Sequence, residues 1–183
     1  MNDSRDKMVQ SAASLIGERG MNATSFSDVL ADSGAPRGSI YHHFPEGKRQ
    51  LAECAMRLTS DEILGHLRTS SEDTPEGVLT HFLSLFHHVV VTSHARAGCT
   101  IAGVTIDVTD DEDDLLGVAR DAFGSWASLL SEQLTEVGVE ETKARAIAVT
   151  AIASVEGALI LCRAHASVEP LSTIEGQLLN LLR

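Results

Sequence analysis

Long alternating runs of β-branched residues are missing from this chain of 183 residues, so a sheet protein is not expected. Catalytic signatures are missing too. There is no GxSxG, phosphate-binding P-loop, GxGxxG or HExxH pattern, and the sequence gives no ground for reading an enzyme. Cysteine is sparse. Cys54, Cys99 and Cys162 are odd in number, form no CxxC pair and are flanked by apolar or small residues, which reads as buried free thiols rather than a disulfide scaffold. The segment Met1 to Gln10 lacks the apolar core of a secretory signal, so a cytoplasmic location is expected. One segment tests the membrane reading. Ala146 to Cys162 is almost wholly apolar or small, but it is short for a span, carries Glu156 and is bounded by Arg145 and Arg163. A buried interface helix is the expectation there, with no membrane partner. Repeats and low-complexity tracts are absent.

What is present is a globular composition, 43% apolar and 22% charged, which excludes disorder and collagen. The formal net charge of −12 argues at first sight against nucleic acid. Its distribution reverses that argument. Residues 1–50 hold six basic side chains (Arg5, Lys7, Arg19, Arg37, Lys48, Arg49) and six acidic ones (Asp3, Asp6, Glu18, Asp28, Asp32, Glu46), so the whole excess lies beyond them. Such asymmetry suggests two parts with different partners.

Helical periodicity dominates. Met8, Ala12, Leu15 and Ile16 share one face, and Gly20 ends that helix. Ser25-Phe26-Ser27-Asp28 is a Ser-x-x-Asp start signal for a short helix stopped by Gly34. Pro36 is suited to open a third helix, to about Phe44, and Pro45-Glu46 a fourth, to about Leu67. Further helices are expected over Pro75–His94, as a short buried helix or turn within Cys99–Val108, and over Asp110–Val137, Glu140–His165 and Leu171–Leu182. The acidic run Asp110 to Asp114 lacks the glycine and terminal glutamate of a calcium loop and reads as a solvated helix start.

Two short helices around Gly34 make a helix-turn-helix candidate, whose second helix would enter the major groove. Arg37 can bond guanine or a phosphate, Gly38 permits close backbone approach, and Ser39, Tyr41, His42 and His43 crowd polar groups onto the helix. Ile40 and Phe44 can pack inward together. Lys48 opposes the dipole of its own helix but is well placed for a phosphate. Adjacent His42 and His43 do not face one way, which disfavours a metal role.

These stretches resemble the DNA-binding domain of TetR-family transcriptional regulators. The run from Ala12 to Ile16 before Gly20, then Ala23 to Ala31, Gly34 to Phe44, and Lys48 with Leu51 carry the resemblance. Gly38-Ser39-Ile40-Tyr41-His42-His43-Phe44-Pro45 with Gly47-Lys48, and the later Gly98-Cys99-Thr100-Ile101-Ala102, are most similar to the LmrA/YxaF-like branch. The resemblance implies operator contacts from Arg37, Ser39, Tyr41 and His42, beside the close approach that Gly38 permits, phosphate contacts from Ser25, Ser27 and Lys48, and a small core of Phe26, Val29, Ile40 and Phe44. Where the family often has a capping Ser or Thr, this chain has Pro36, so the start of the recognition helix is expected to shift.

The expected architecture is therefore all-α: a three-helix helix-turn-helix DNA-binding domain over residues 1–48, joined to a larger helical ligand-binding and dimerisation domain over 49–183. A helix-turn-helix reader works as a dimer on a near-palindromic site. The stripe Ala148, Ala151, Val155, Ala158 and Cys162, with Ile174, Leu178 and Leu181, is the expected pairing surface. Phe82, Phe86, Cys99, Ile101, Phe123, Trp126, Glu156 and Leu159 are the expected lining of an effector pocket. Glu156 needs a partner in its apolar helix, either a ligand or Arg120 or Arg163. The histidines His81, His87, His88 and His94 lack Cys or Asp at ligand spacing, so neither metal nor cofactor is expected. The expected partners are a double-stranded operator, a small organic effector and a second copy of the chain, acting as a ligand-released repressor. The alternative is a helical carrier or enzyme without DNA function.

Overall fold

Caps and glycines set the ends of the helices. A computed structural model describes residues 3–108 and 113–183, and among them the chain is all-α, with no strand. The elements are α1 (Asp3–Arg19), α2 (Phe26–Ser33), α3 (Ser39–His43), α4 (Lys48–Arg68), α5 (Pro75–Thr92), α6 (Thr100–Asp107), α7 (Asp113–Glu136), α8 (Glu141–His165) and α9 (Glu169–Asn180). Gly20, Gly34 and Gly138 adopt left-handed φ of 84°, 67° and 99° and stop α1, α2 and α7, as glycine can without strain. Thr74 caps α5 and Cys99 caps α6 through their side chains. Glu140 caps α8, accepting from the Thr142 and Lys143 amides at 2.8 and 2.9 Å; those bonds hold its carboxyl below the usual 4.5.

Several boundaries differ from the periodicity. The fourth helix begins at Lys48 rather than Pro45, because Gly47 turns left-handed at φ 82°. The fifth ends at Thr92, where His94 and Ala95 both take positive φ. The ninth starts two residues early because Pro170 falls in its first turn. Of the acidic helix start, residues 109–112 lie outside the described residues, and α7 is described from Asp113.

Contacts gather into two compact units. Unit 1 comprises Met1–Asp61 and Gly98–Ala122; unit 2 comprises Glu62–Ala97 and Phe123–Arg183. The division passes through α4 and α7, and α6 joins the N-terminal helices, which the order of the sequence does not reveal.

In unit 1, Met8, Ala12, Ile16, Val29, Ile40, Phe44, Leu51 and Ala52 form the core. Each large apolar side chain among them contributes about 1.5–3 kcal/mol by leaving water. Glycines let α1 and α6 meet backbone to backbone. A Cβ on Gly17 would lie 2.7 Å from the Gly98 carbonyl oxygen, one on Gly103 would lie 2.8 Å from that of Ile16, and one on Gly98 would collide with the Gly17 oxygen. Thr100 Oγ1 donates to the Ala13 carbonyl at 2.9 Å, and Thr59 Oγ1 donates to Thr100 at 3.1 Å.

In unit 2, α8 packs on α9 and α5, and α5 packs on α9. His87 Nε2 meets Glu175 Oε2 at 3.0 Å, tying α5 to α9. The rings of His66 and His81 stack with centroids 4.2 Å apart, each Nε2 against the other residue's carbonyl. Helix α8 is long and apolar enough to cross a membrane by length and composition alone. It nevertheless contributes nine buried side chains to this unit.

One expectation is corrected by α8. The stripe Ala148, Ala151, Val155, Ala158 and Cys162 is buried within the chain itself, each residue no more than 1% exposed, and Leu178 of α9 is 2% exposed. Small residues allow close helix contact, but the neighbours they admit are in the same chain. The face left outside carries Val149, Ala153, Gly157, Ile160 and Leu161. Ile174 is half-buried and Leu181 is 44% exposed, so α9 keeps part of its expected outer surface.

Candidate nucleic-acid interface

Ser25 has extended backbone and closes a full capping box. Its hydroxyl accepts from the Asp28 amide at 3.2 Å, while the Asp28 carboxylate accepts from the Ser25 amide at 2.8 Å and from its hydroxyl at 2.7 Å. The Ser25 hydroxyl and amide bonds hold the Asp28 carboxyl below its usual 3.8, and Arg19 and Lys48 add to the effect. Both Ser25 donors are thus spent on Asp28. Its place here is a cap, and a phosphate would have to compete for it. Ser27 lies exposed in the first turn of α2.

The second helix is shorter than the sequence suggests. Instead of running from Pro36 to Phe44 it spans only Ser39–His43. The Ser39 amide donates to the Pro36 carbonyl at 2.9 Å and its hydroxyl to the same oxygen at 2.6 Å, so residues 36–39 form a turn ahead of the helix. Ser39 therefore has its hydroxyl proton engaged locally. Arg37 and Gly38 sit on that turn, both exposed.

Burial sorts α3 cleanly. Ile40 and Phe44, one turn apart, are both 0% exposed and anchor the helix inward. Tyr41 is 69% exposed and His42 is also exposed. The Tyr41 ring meets the Phe26 ring edge-on, centroids 5.6 Å apart, which fixes a large aromatic at the surface. Phe26, expected in the core, is only half-buried and serves as this support. Behind Phe44, the Arg5 guanidinium lies 5.5 Å from the ring centroid and donates to Cys54 Sγ at 3.2 Å.

Lys48 is half-buried at the start of α4, and its Nζ donates to the Asn22 carbonyl at 3.2 Å. Neighbouring Arg49 is engaged by Asp114 at 3.3 Å. Arg37 and Gly38 thus lie on the turn, Tyr41 and His42 on α3 and Lys48 at the start of α4, with Arg37 in no ion pair among the described residues. Asn22 escaped the sequence reading, since only the fold brings Lys48 onto its carbonyl.

The candidate effector residues divide between the units. Phe82, Phe86, Phe123, Trp126, Glu156 and Leu159 lie in unit 2, whereas Cys99 and Ile101 lie in unit 1. Phe82 pairs edge-on with Phe86, and Phe123 with Trp126, each at 5.2 Å. Phe82 and Trp126 are 1% exposed and Ile101 is 0% exposed, so these side chains fill core as they stand. Glu156 is half-buried and is not without a partner. No group of three or more metal-ligating side chains occurs among the described residues.

Comparison with known proteins agrees with this geometry. Residues 9–55 match the family model for bacterial regulatory proteins of the tetR family. Residues 75–177 match that of the transcriptional regulator LmrA/YxaF-like C-terminal domain. An uncharacterised HTH-type transcriptional regulator of Mycobacterium tuberculosis is 34% identical, covering 100% of this chain and 95% of its own. The HTH-type transcriptional regulator LmrA of Bacillus subtilis is 28% identical, covering 99% and 97%. A TetR transcriptional regulator from Legionella pneumophila shares the fold with a TM-score of 0.86 at 20% identity, over 100% of this chain and 99% of that one. Such relatives are DNA-binding regulators and not enzymes. A helix-turn-helix head and a matching helical body together place this chain in the TetR family of transcriptional regulators, within its LmrA/YxaF-like branch.

Proposed function

We propose that the chain is a cytoplasmic repressor that binds a palindromic operator as a homodimer and is released by a small organic effector. The observation that carries this reading is the sorting of α3: Ile40 and Phe44 are locked inside while Arg37, Gly38, Tyr41 and His42 are displayed. Residues 1–48 form the reading head, and residues 49–183 supply pairing and effector binding. Repressors occur among the relatives of the head. The pairing face is the exposed side of α8, Val149 to Leu161, continued by Leu181 of α9. The effector takes its place in unit 2, among Phe82, Phe86, Phe123, Trp126, Glu156 and Leu159. It lowers DNA affinity by as much as it prefers the DNA-incompetent conformation.

A titration with duplexes from the DNA flanking its own gene tests the head. Arg37→Ala is expected to cost about 1–3 kcal/mol and to blur base preference. Lys48→Ala weakens binding evenly across sequences and lowers the salt slope by about one per head. Unchanged affinity and preference in Arg37→Ala would remove α3 from the interface.

A further inference from the structure

Helix α6 ends in a carboxylate that does nothing for the helix. Asp107 is its last residue, at the negative end of the dipole, where an acid is unfavourable. Its bonds run elsewhere. Asp107 Oδ2 accepts from the Asn22 amide at 2.8 Å, and its carbonyl receives the Asn22 side-chain amide at 3.5 Å. The carbonyl of that same Asn22 accepts from Lys48 Nζ. Gly20 makes room, since a Cβ there would lie 2.7 Å from Asp107 Oδ2. The far end of this chain of bonds is firm, because α6 is seated on the α1 backbone through Gly17, Gly98 and Gly103.

We infer that Asp107 is a positioning residue for DNA binding, which holds the Asn22 backbone by its N–H so that the carbonyl of the same residue aims the Lys48 ammonium at a phosphate. This rests on the reading of Lys48 as a phosphate contact. The chemistry suits the task. An ammonium has three donors, and the bond to Asn22 uses one, leaving two for phosphate oxygens. Without the anchor, the flexible lysine stem must be ordered when DNA binds, and affinity falls accordingly.

The test is a salt series of fluorescence-anisotropy titrations on a generic duplex of about 30 base pairs, long enough for two half-sites one helical turn apart. Phosphate contacts are independent of sequence, so no operator is needed. Asp107→Ala should weaken binding several-fold and lower the salt slope toward that of Lys48→Ala. In the Lys48→Ala background, Asp107→Ala should add nothing. Asp107→Asn keeps an acceptor for the Asn22 amide and should bind as the parent does. Asp107→Glu keeps the charge but displaces the acceptor by a methylene, and should weaken binding even if the alanine variant folds poorly. The inference is overturned if Asp107→Asn loses as much as Asp107→Ala, or if the loss persists in full without Lys48. A parental slope in Lys48→Ala would instead sink the reading of Lys48 itself.

Discussion

The Ser25–Asp28 pair shows how far a single residue type can be trusted in a sequence. Its spacing announced a helix start, and the structure closes the box in both directions. The spacing said nothing of competition, and Ser25 spends on Asp28 the donors a phosphate contact would use. The same bonds set a pH dependence. Asp28 is held below 3.8 when folded, so its stabilisation is complete above that value and is lost as pH falls through the lowered one. Asp28→Asn should therefore have a lower denaturant midpoint than the parent near neutrality, with the gap narrowing below pH 3.8. A gap that stays constant to the acid limit would mean that the charge is not what stabilises the cap. Tyr41 illustrates the opposite case. A tyrosine three residues before Phe44 suits core or surface equally by spacing, and with Ile40 and Phe44 both turned inward its ring lies outside.

Helix existence was legible wherever periodicity and punctuation agreed, as at Gly20, Gly34 and Gly138. Helix faces were less so. In α8, apolar and small residues occur almost all round, so periodicity cannot say which side meets its own chain. The alanine stripe turned inward, and Val149, Ile160 and Leu161 remain 55%, 65% and 47% exposed. Ile160→Asp should thus leave the fold intact, because that side chain is 65% exposed in the single chain. It should weaken self-association at least tenfold, or about 1.4 kcal/mol, by setting a charge into an apolar contact. Sedimentation of the variant across a concentration series measures this, and an unchanged dimer would exclude this face. The α1–α6 junction was invisible beforehand. Gly17 and Gly98 are far apart in sequence, and a glycine contact leaves no hydrophobic signature to read.

Taken whole, the charge of −12 lies beyond residue 50 in the sequence, while residues 1–50 are neutral. The effector region was the least legible part, because core and pocket linings use the same residue types. Phe82, Trp126 and Ile101 are core in this state, so an effector seated against them must displace packed atoms.

Tyr41 and Trp126 are the sole tyrosine and the sole tryptophan of the chain, and they fall in different units. Nature has in effect installed two optical labels. The exposed phenol sits on the reading helix, and the indole, 1% exposed, sits among the candidate effector residues. DNA is expected to quench tyrosine emission, whereas an effector entering beside Trp126 is expected to shift the tryptophan band. Recording both during one titration with a candidate effector on the DNA-bound protein would follow occupancy and release separately. Tyrosine emission that recovers without any tryptophan change would place the effector away from Trp126. No dye, tag or substitution is required, so the order of the two events can be read on the unaltered chain.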